Sequence, residues 1–325
     1  MDYKQVLEVF KHNAQETIGL EDLEHLERNI NIYWGCAPTK VPSLAYLVPL
    51  LKLRECFNTG RVNITIFLAD MHSYMDKGFD EIARMRVRTD FYQFILTLMM
   101  RLVGFNDNEY RFVRGSSVQL TPGYMRSLLE FTTLTTVRDA QHAGKEVVKD
   151  TKQPTLSSLL YPLMQCLDER ALDADIQLGG MDQRKIFMLS RDFMPRLGLN
   201  KCAYIMNPII PSLIKGEKMS SSIPNGKIGF YDTDSEITEK IRKAFCADKD
   251  TNLSTNPCLS IMKYIVFPLK TEENYEKFEK EWAEGKFDAR ELKNKVTTAI
   301  CEIVEKIRKD LYTVEGVALY SAAYA

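Results

Sequence analysis

No apolar run in this chain approaches the ~20 residues that a membrane helix requires. The N-terminus, MDYKQVLEVFKHNAQETIGLEDLEHLE, carries mixed charge at helical spacing and has no signal-peptide core. Its seven cysteines (Cys36, Cys56, Cys166, Cys202, Cys246, Cys258, Cys301) lie scattered with no CxxC pair. That pattern argues against zinc and against a disulfide framework, and it suits a reducing cytoplasm. A net charge of −1 excludes a global basic field, so composition alone does not point to nucleic acid. There is no internal repeat, no low-complexity segment, no Ser/His/Asp nucleophile set and no metal-ligand cluster. What remains is an ordinary soluble profile, 45% apolar and 27% charged over 325 residues, enough for two domains.

The first half alternates short apolar runs with helical stretches, which predicts a parallel α/β sheet. Strands are expected over Ile30–Gly35, Val62–Ala69, Ala174–Leu178 and Ala203–Met206, with long helices over Gly78–Val103 and Ser157–Glu169. In such sheets ligands sit beyond the carboxyl ends of the strands. Tyr33-Trp34-Gly35, Asp70-Met71-His72 and Gly179–Gln183 all follow strands, and one pocket could collect them. After about Asn225 the pattern turns helical, over Glu236–Ala247 and Arg290–Leu311. In the latter, Leu292, Val296, Ala299, Ile300, Ile303, Val304, Ile307 and Leu311 keep a 3.6-residue stripe. The chain therefore divides at about residue 225 into an α/β unit and a smaller helical one. The uncharged tail GVALYSAAYA is expected to fray.

Three segments carry polar groups suited to chemistry. Tyr161, Gln165 and Asp168 fall at i, i+4 and i+7 on one face of an otherwise apolar helix. Three uncompensated polar groups there suit a ligand, since buried polar groups need partners; a solvent-facing stripe fits the spacing equally well. Gly179-Gly180-Met181-Asp182-Gln183-Arg184-Lys185 permits close backbone approach, or is simply a strand-to-helix turn. Lys218-Met-Ser220-Ser221-Ser222, flanked by Gly216 and Gly226, can follow a polyphosphate, or is a polar loop.

Taken in order and at their spacing, these segments resemble the class I aminoacyl-tRNA synthetases, and more narrowly the tyrosyl enzymes of eukaryotes and archaea. The resemblance runs through NIYWGCAPTKVPSLAYLVPLLKL, IFLADMHSYMD, AGKEVV, LLYPLMQCLDE, GGMDQRKIFMLSRD, MNPIIPSLIKGEKMSSS and RKAFC. It implies a Rossmann-type catalytic domain over 1–224, with an acceptor-arm and dimer insertion at about 78–160. A helical anticodon-binding domain over 225–325 follows, without the extra C-terminal domain of some relatives. A cytoplasmic homodimer is implied, using tyrosine, tRNA(Tyr) and ATP with Mg²⁺, with no bound organic cofactor and no protein metal site. Residue by residue, Tyr33 and Asp168 would grip the phenol hydroxyl, while Tyr161, Gln165 and Gln183 would hold the ammonium. His72 would line the pocket floor, where a core histidine fits the sequence almost as well. ATP would meet Gly35, Ala37, Tyr46, Gly180, Asp182 and Met206, and Lys218 with Ser220, Ser221 and Ser222 would steady its phosphates. Arg138, His142, Lys145, Arg184 and Lys185 would face the acceptor arm, and Glu291 and Lys293 the anticodon.

One departure stands out. Where relatives carry the HIGH-type motif, this chain has Ser43-Leu44-Ala45-Tyr46, with serine in the place of the first histidine. Serine is shorter and never cationic. Pro42-Ser43 still reads as a helix start, whose amides attract phosphate. Lys40 also stands where relatives often have glycine. Two other functions share parts of this pattern: a tryptophanyl enzyme, whose pocket has no use for paired hydroxyl binders, and a catalytically silent tRNA-binding paralogue, which Ser43 would favour.

Overall fold

A computed structural model describes residues 1–77, 82–147, 154–214, 226–270 and 274–324. Among them six strands form one sheet: β1 Glu16–Ile18, β2 Ile30–Cys36, β3 Val62–Leu68, β4 Tyr110–Arg114, β5 Ile176–Gly180 and β6 Ala203–Asn207. Their spatial order is β1-β6-β5-β2-β3-β4. Only β1 runs antiparallel, against β6; all other pairs are parallel. Numbered by themselves, the five parallel strands read 3-2-1-4-5. This is the Rossmann winding, and it changes direction between β2 and β5. A crevice opens at that switch point.

The helices that cover the sheet are α1 Tyr3–Lys11, α2 Leu47–Phe57, α3 Asp70–Lys77, α4 Ile82–Leu102, α5 Gly115–Gln119, α6 Pro122–Leu134, α7 Val137–Gly144, α8 Leu156–Ala171 and α9 Arg184–Phe193. Every element described after residue 233 is helical: α10 Asp234–Lys243, α11 Pro257–Ile261, a π-turn over Met262–Val266, α12 Phe267–Leu269, α13 Tyr275–Ala283, α14 Ala289–Leu311 and α15 Val314–Tyr324. A sheet covered on both faces needs nearly continuous apolar strands. β6 is buried throughout, and β3 exposes only Asn63. One face (Ile32, Trp34, Ile64, Ile66, Leu178, Ile205) shares a core with α2, α4 and the C-terminal helices. The other face carries Tyr33 and Phe67, and nearer β6 it carries Tyr204 and Met206 against Phe187 of α9. All eight stripe residues of α14 are buried.

Several expectations shift. The strand anticipated at 174–178 begins at Ile176, because Ala174 N–H still donates to Glu169 O (2.9 Å) and closes the end of α8. The helix anticipated to Ala247 stops at Lys243, with Ala244 capping it in extended conformation. The long helix expected from Gly78 is described as Ile82–Leu102. β1 and β4 were not legible: both are short edge strands whose partly exposed residues lack alternation. The tail, expected to fray, is helical through Tyr324. Tyr320 and Tyr324, one helical turn apart, set their rings edge-on to Phe91 of α4 at 5.9 and 5.4 Å, and Arg88 Nε donates to Ala323 O at 3.2 Å. No helix of the described residues is long and apolar enough to cross a membrane.

Candidate active site

At the switch point the carboxyl ends of β2, β3, β5 and β6 surround a cavity of about 410 Å³, within the range of small-ligand sites. All three post-strand segments reach it, through Tyr33, Trp34 and Gly35, through His72, and through Gly179, Gly180, Asp182 and Gln183. Asp70, by contrast, turns away and accepts from Ser116 N (2.7 Å) and Ser116 Oγ (2.6 Å), which ties α3 to α5.

The deep end is built from β2, α3 and α8. Tyr33 is 2% exposed, and its hydroxyl has no hydrogen-bond partner among the described residues. Burial raises its phenol well above the usual range, helped by the carboxylates of Glu169 and Asp168, so Tyr33 is a neutral hydroxyl able to donate and accept. Asp168 is not the uncompensated group the spacing suggested. Its Oδ1 accepts from Gln119 Nε2 and Tyr124 OH, each at 2.8 Å, and its Oδ2 meets His72 Nε2 at 2.7 Å. A carboxylate offers about four acceptor sites. Three are filled, which leaves one on Oδ2. Gln165 is likewise paired, donating to Gln183 Oε1 at 2.9 Å, and the Tyr161 ring meets His72 edge-on at 4.4 Å.

Gly179 has no room for a side chain: a Cβ would lie 2.6 Å from Phe187 Cζ, so this glycine lets α9 close onto β5. Gly180 then precedes the short 3₁₀ turn Met181–Gln183. On the opposite wall Ala37, Ser43 and Tyr46 line the cavity. Ser43 caps a 3₁₀ turn, Leu44–Tyr46, that leads into α2, so the helix start is present, but its hydroxyl makes no capping bond. The segment also bridges Gly229, with Leu44 N–H donating to Ile228 O at 2.9 Å.

Met206 does not line the cavity; it is buried against Phe187, Cys202 and Tyr204, because alternation along β6 turns it into the core. Lys218, Ser220, Ser221 and Ser222 lie outside the described residues. Arg138, His142 and Lys145 are exposed on and beside α7. Arg184 is held bidentately by Glu16 (2.7 and 2.9 Å), and Lys185 by Glu146 (2.7 Å). Such surface pairs are worth at most about 1 kcal/mol and can be exchanged for phosphate. Lys293 Nζ donates to Arg242 O (3.0 Å), and Glu291 pairs with Lys295 (3.4 Å).

Sequence reasoning missed Gln119 and Tyr124, which approach Asp168 only through the tertiary fold. It also missed two buried amides at the cavity, Gln177 Oε1 and Asn207 Nδ2, neither with a partner among the described residues. Gln177 was findable, being a lone amide in the middle of a buried strand.

Behind this floor Glu169 is buried, accepting from Ser190 Oγ (2.6 Å) and Tyr204 OH (2.9 Å). Burial pushes its carboxyl up to about 8. The folded state therefore holds a proton that the unfolded chain releases near 4.5. The stability is fully present below that value and falls by about 1.4 kcal/mol per pH unit until the folded group also ionises. Glu169→Gln should flatten this slope between roughly pH 5 and 8 and exceed the native chain in stability at the upper end. Parallel urea-unfolding profiles for the two proteins across that window would refute it.

Comparison with known proteins agrees with this geometry. Residues 25–305 match the family described as tRNA synthetases class I (W and Y). The chain is 36% identical to the cytoplasmic tyrosine–tRNA ligase of Gallus gallus over 98% of its own length, but it spans only 63% of that relative. It is 34% identical to the cytoplasmic tyrosine–tRNA ligase of Saccharomyces cerevisiae, covering 95% of this chain and 85% of the relative. Among solved structures, the tyrosyl-tRNA synthetase of Archaeoglobus fulgidus complexed with L-tyrosine superposes with a TM-score of 0.85 at 30% identity, over 95% and 100% of the two chains. The Aeropyrum pernix tyrosyl-tRNA synthetase gives 0.87 at 28%, over 99% and 98%. A Rossmann sheet with a polar cavity at its switch point and these matches converge: the chain belongs to the class I tRNA synthetases of the tryptophan and tyrosine type, on the tyrosyl side.

Proposed function

We propose that this chain ligates L-tyrosine to tRNA(Tyr) through a tyrosyl-adenylate, consuming ATP and releasing AMP and pyrophosphate. The observation that carries the reading is the deep end of the cavity. A buried Tyr33 hydroxyl without a partner among the described residues lines the same cavity as Asp168, which among those residues keeps one free acceptor position. A phenol hydroxyl completes both, whereas phenylalanine or tryptophan leaves both unpaired. A site built this way can reject phenylalanine by roughly 10⁴–10⁵. Tyr161, Gln165 and Gln183 then take the ammonium, with His72 locked beneath by Asp168.

The tyrosine carboxylate attacks the α-phosphorus of ATP, and the terminal ribose hydroxyl of tRNA later attacks the activated carbonyl. Neither step needs a protein nucleophile, so positioning and charge stabilisation supply the catalysis. The nucleotide would lie along Gly35, Ala37, Tyr46, Gly180 and Asp182, bringing Mg²⁺ on its own phosphates, with Lys218 and Ser220–Ser222 closing on them. Residues 1–224 would form the catalytic domain and 225–325 the anticodon-binding one. Arg138, Lys145, Arg184 and Lys185 would meet the acceptor arm, and Glu291 and Lys293 the anticodon. A homodimer is supported by the exposed apolar side chains of Leu120, Met125, Leu129, Leu134 and Val137, clustered on and around α6. Exposed apolar patches of this kind mark protein interfaces. A cytoplasmic setting follows the relatives' names.

The test is ATP–pyrophosphate exchange measured with each of the twenty amino acids. Exchange with tyrosine alone is expected; exchange with tryptophan, or with none, would overturn the reading. Ser43→Ala should cost at most about tenfold in the same assay, since one neutral hydrogen bond is worth roughly 0.5–1.5 kcal/mol. A loss of several orders of magnitude would show that Ser43 has taken over the histidine's task.

A further inference from the structure

The sheet face beneath the cavity carries a polar row in register across four strands: Thr65 of β3, Tyr33 of β2, Gln177 of β5 and Tyr204 of β6. All four are buried. The outer two are paired. Thr65 Oγ1 accepts from Arg111 Nε at 3.0 Å, and Tyr204 OH donates to Glu169 Oε1 at 2.9 Å. The inner two are not. Tyr33 OH and Gln177 Oε1 have no partner among the described residues, and no hydrogen bond ties Gln177 Nε2 to any of them. Neighbouring strands lie about 4.8 Å apart, so these two side chains rise from adjacent points of the floor, and both line the cavity. One layer nearer the mouth the same face is bare. Gly35 follows Tyr33 by two residues, Gly179 follows Gln177 by two, and both glycines line the cavity. Two residues of strand span about 6.6 Å, comparable to the length of a phenol side chain. A ring laid over the two glycines therefore sets its far end against Tyr33 and Gln177.

A phenol oxygen offers one proton and two lone pairs. In the tyrosine-ligase reading, on which this inference rests, Asp168 takes the proton and Tyr33 donates to one lone pair. We infer that Gln177 is a further specificity-determining residue, whose Nε2 donates to the second lone pair from the sheet side. A buried amide with no protein partner is costly to the fold. Holding Nε2 at the substrate accounts for its presence in the middle of a buried strand, with Oε1 left unpaired. Activity and stability therefore respond to this residue with opposite sign.

Gln177→Met keeps the length of the side chain and removes its donor. In ATP–pyrophosphate exchange on the full-length chain it should raise the KM for tyrosine about tenfold, the effect of one neutral hydrogen bond. The kcat and the KM for ATP should stay within about twofold, the pattern of a lost binding contact. The kcat/KM for phenylalanine, which has no hydroxyl, should also stay within about twofold. The melting temperature should equal or exceed that of the wild type, because no protein hydrogen bond is lost and an unpaired buried acceptor is removed. Gln177→Leu should follow on every count. A methionine variant with an unchanged tyrosine KM would overturn the inference. So would one in which tyrosine and phenylalanine use fall together while the melting temperature drops, since Gln177 would then serve packing alone. A wild-type chain without tyrosine-dependent exchange would remove the underlying reading itself, and that result is visible before any variant is compared.

Discussion

Asp168→Asn should lower kcat/KM for tyrosine by about 10²–10³ while leaving phenylalanine nearly unchanged, so that discrimination between the two collapses. The carboxylate accepts from Gln119, Tyr124 and His72 and keeps one position for the substrate. An amide replaces one acceptor oxygen with a donor. The substrate hydroxyl loses a charge-assisted bond, worth about 1.5–3 kcal/mol, and, whichever way the amide sits, a protein donor is also left facing another donor, at about 1–3 kcal/mol. A combined loss of roughly 3–4 kcal/mol corresponds to the stated range at about 1.36 kcal/mol per tenfold. Asp168→Ala should be worse, because it strands the buried donors of Gln119 and His72, while Tyr124 OH keeps Met164 O at 2.8 Å, and it lowers thermal stability as well. Exchange rates with tyrosine and phenylalanine, beside melting curves, separate the two effects. An unchanged tyrosine-to-phenylalanine ratio in the asparagine variant would mean that Asp168 is structural only.

Lys218→Ala should slow adenylate formation by about 10²–10³ and leave the tyrosine dissociation constant within about twofold, the signature of a group acting in the transition state. Lys218 lies outside the described residues, but the cavity wall formed by Ala37, Ser43 and Tyr46 explains why so much should rest on it. Ser43 brings no charge, Leu44 N–H is committed to Ile228 O, and Tyr46 N–H to Ser43 O. Two amides of that helix start are therefore used within the protein, and cationic stabilisation of departing pyrophosphate must come from elsewhere. Single-turnover rates and equilibrium binding of tyrosine decide the matter. Equal losses in both would assign the lysine a ground-state role.

What the sequence by itself determined is local or rests on ordered motifs. The apolar runs at Ile30, Val62 and Ala203 became strands, because a strand buried on both faces must be apolar along its length. The stripe of α14 matched its buried face residue for residue, since helical period alone sets that pattern. Ordered motifs placed Tyr33, His72, Tyr161, Gln165, Asp168 and Gln183 together, and all six line one cavity. Only the tertiary structure decided how those groups are satisfied. Gln119 and Tyr124 reach Asp168 from 49 and 44 residues away, and Gln165 finds Gln183 across 18. Hydrogen bonds between elements depend on how helices pack, and periodicity carries nothing of that. The same holds for the tail, whose aromatic pair had no visible partner until α4 supplied Phe91. It holds also for Met206, which strand alternation and the neighbouring Phe187 turned into the core. A residue's type and spacing say what it can do, and packing settles which neighbour it does it with.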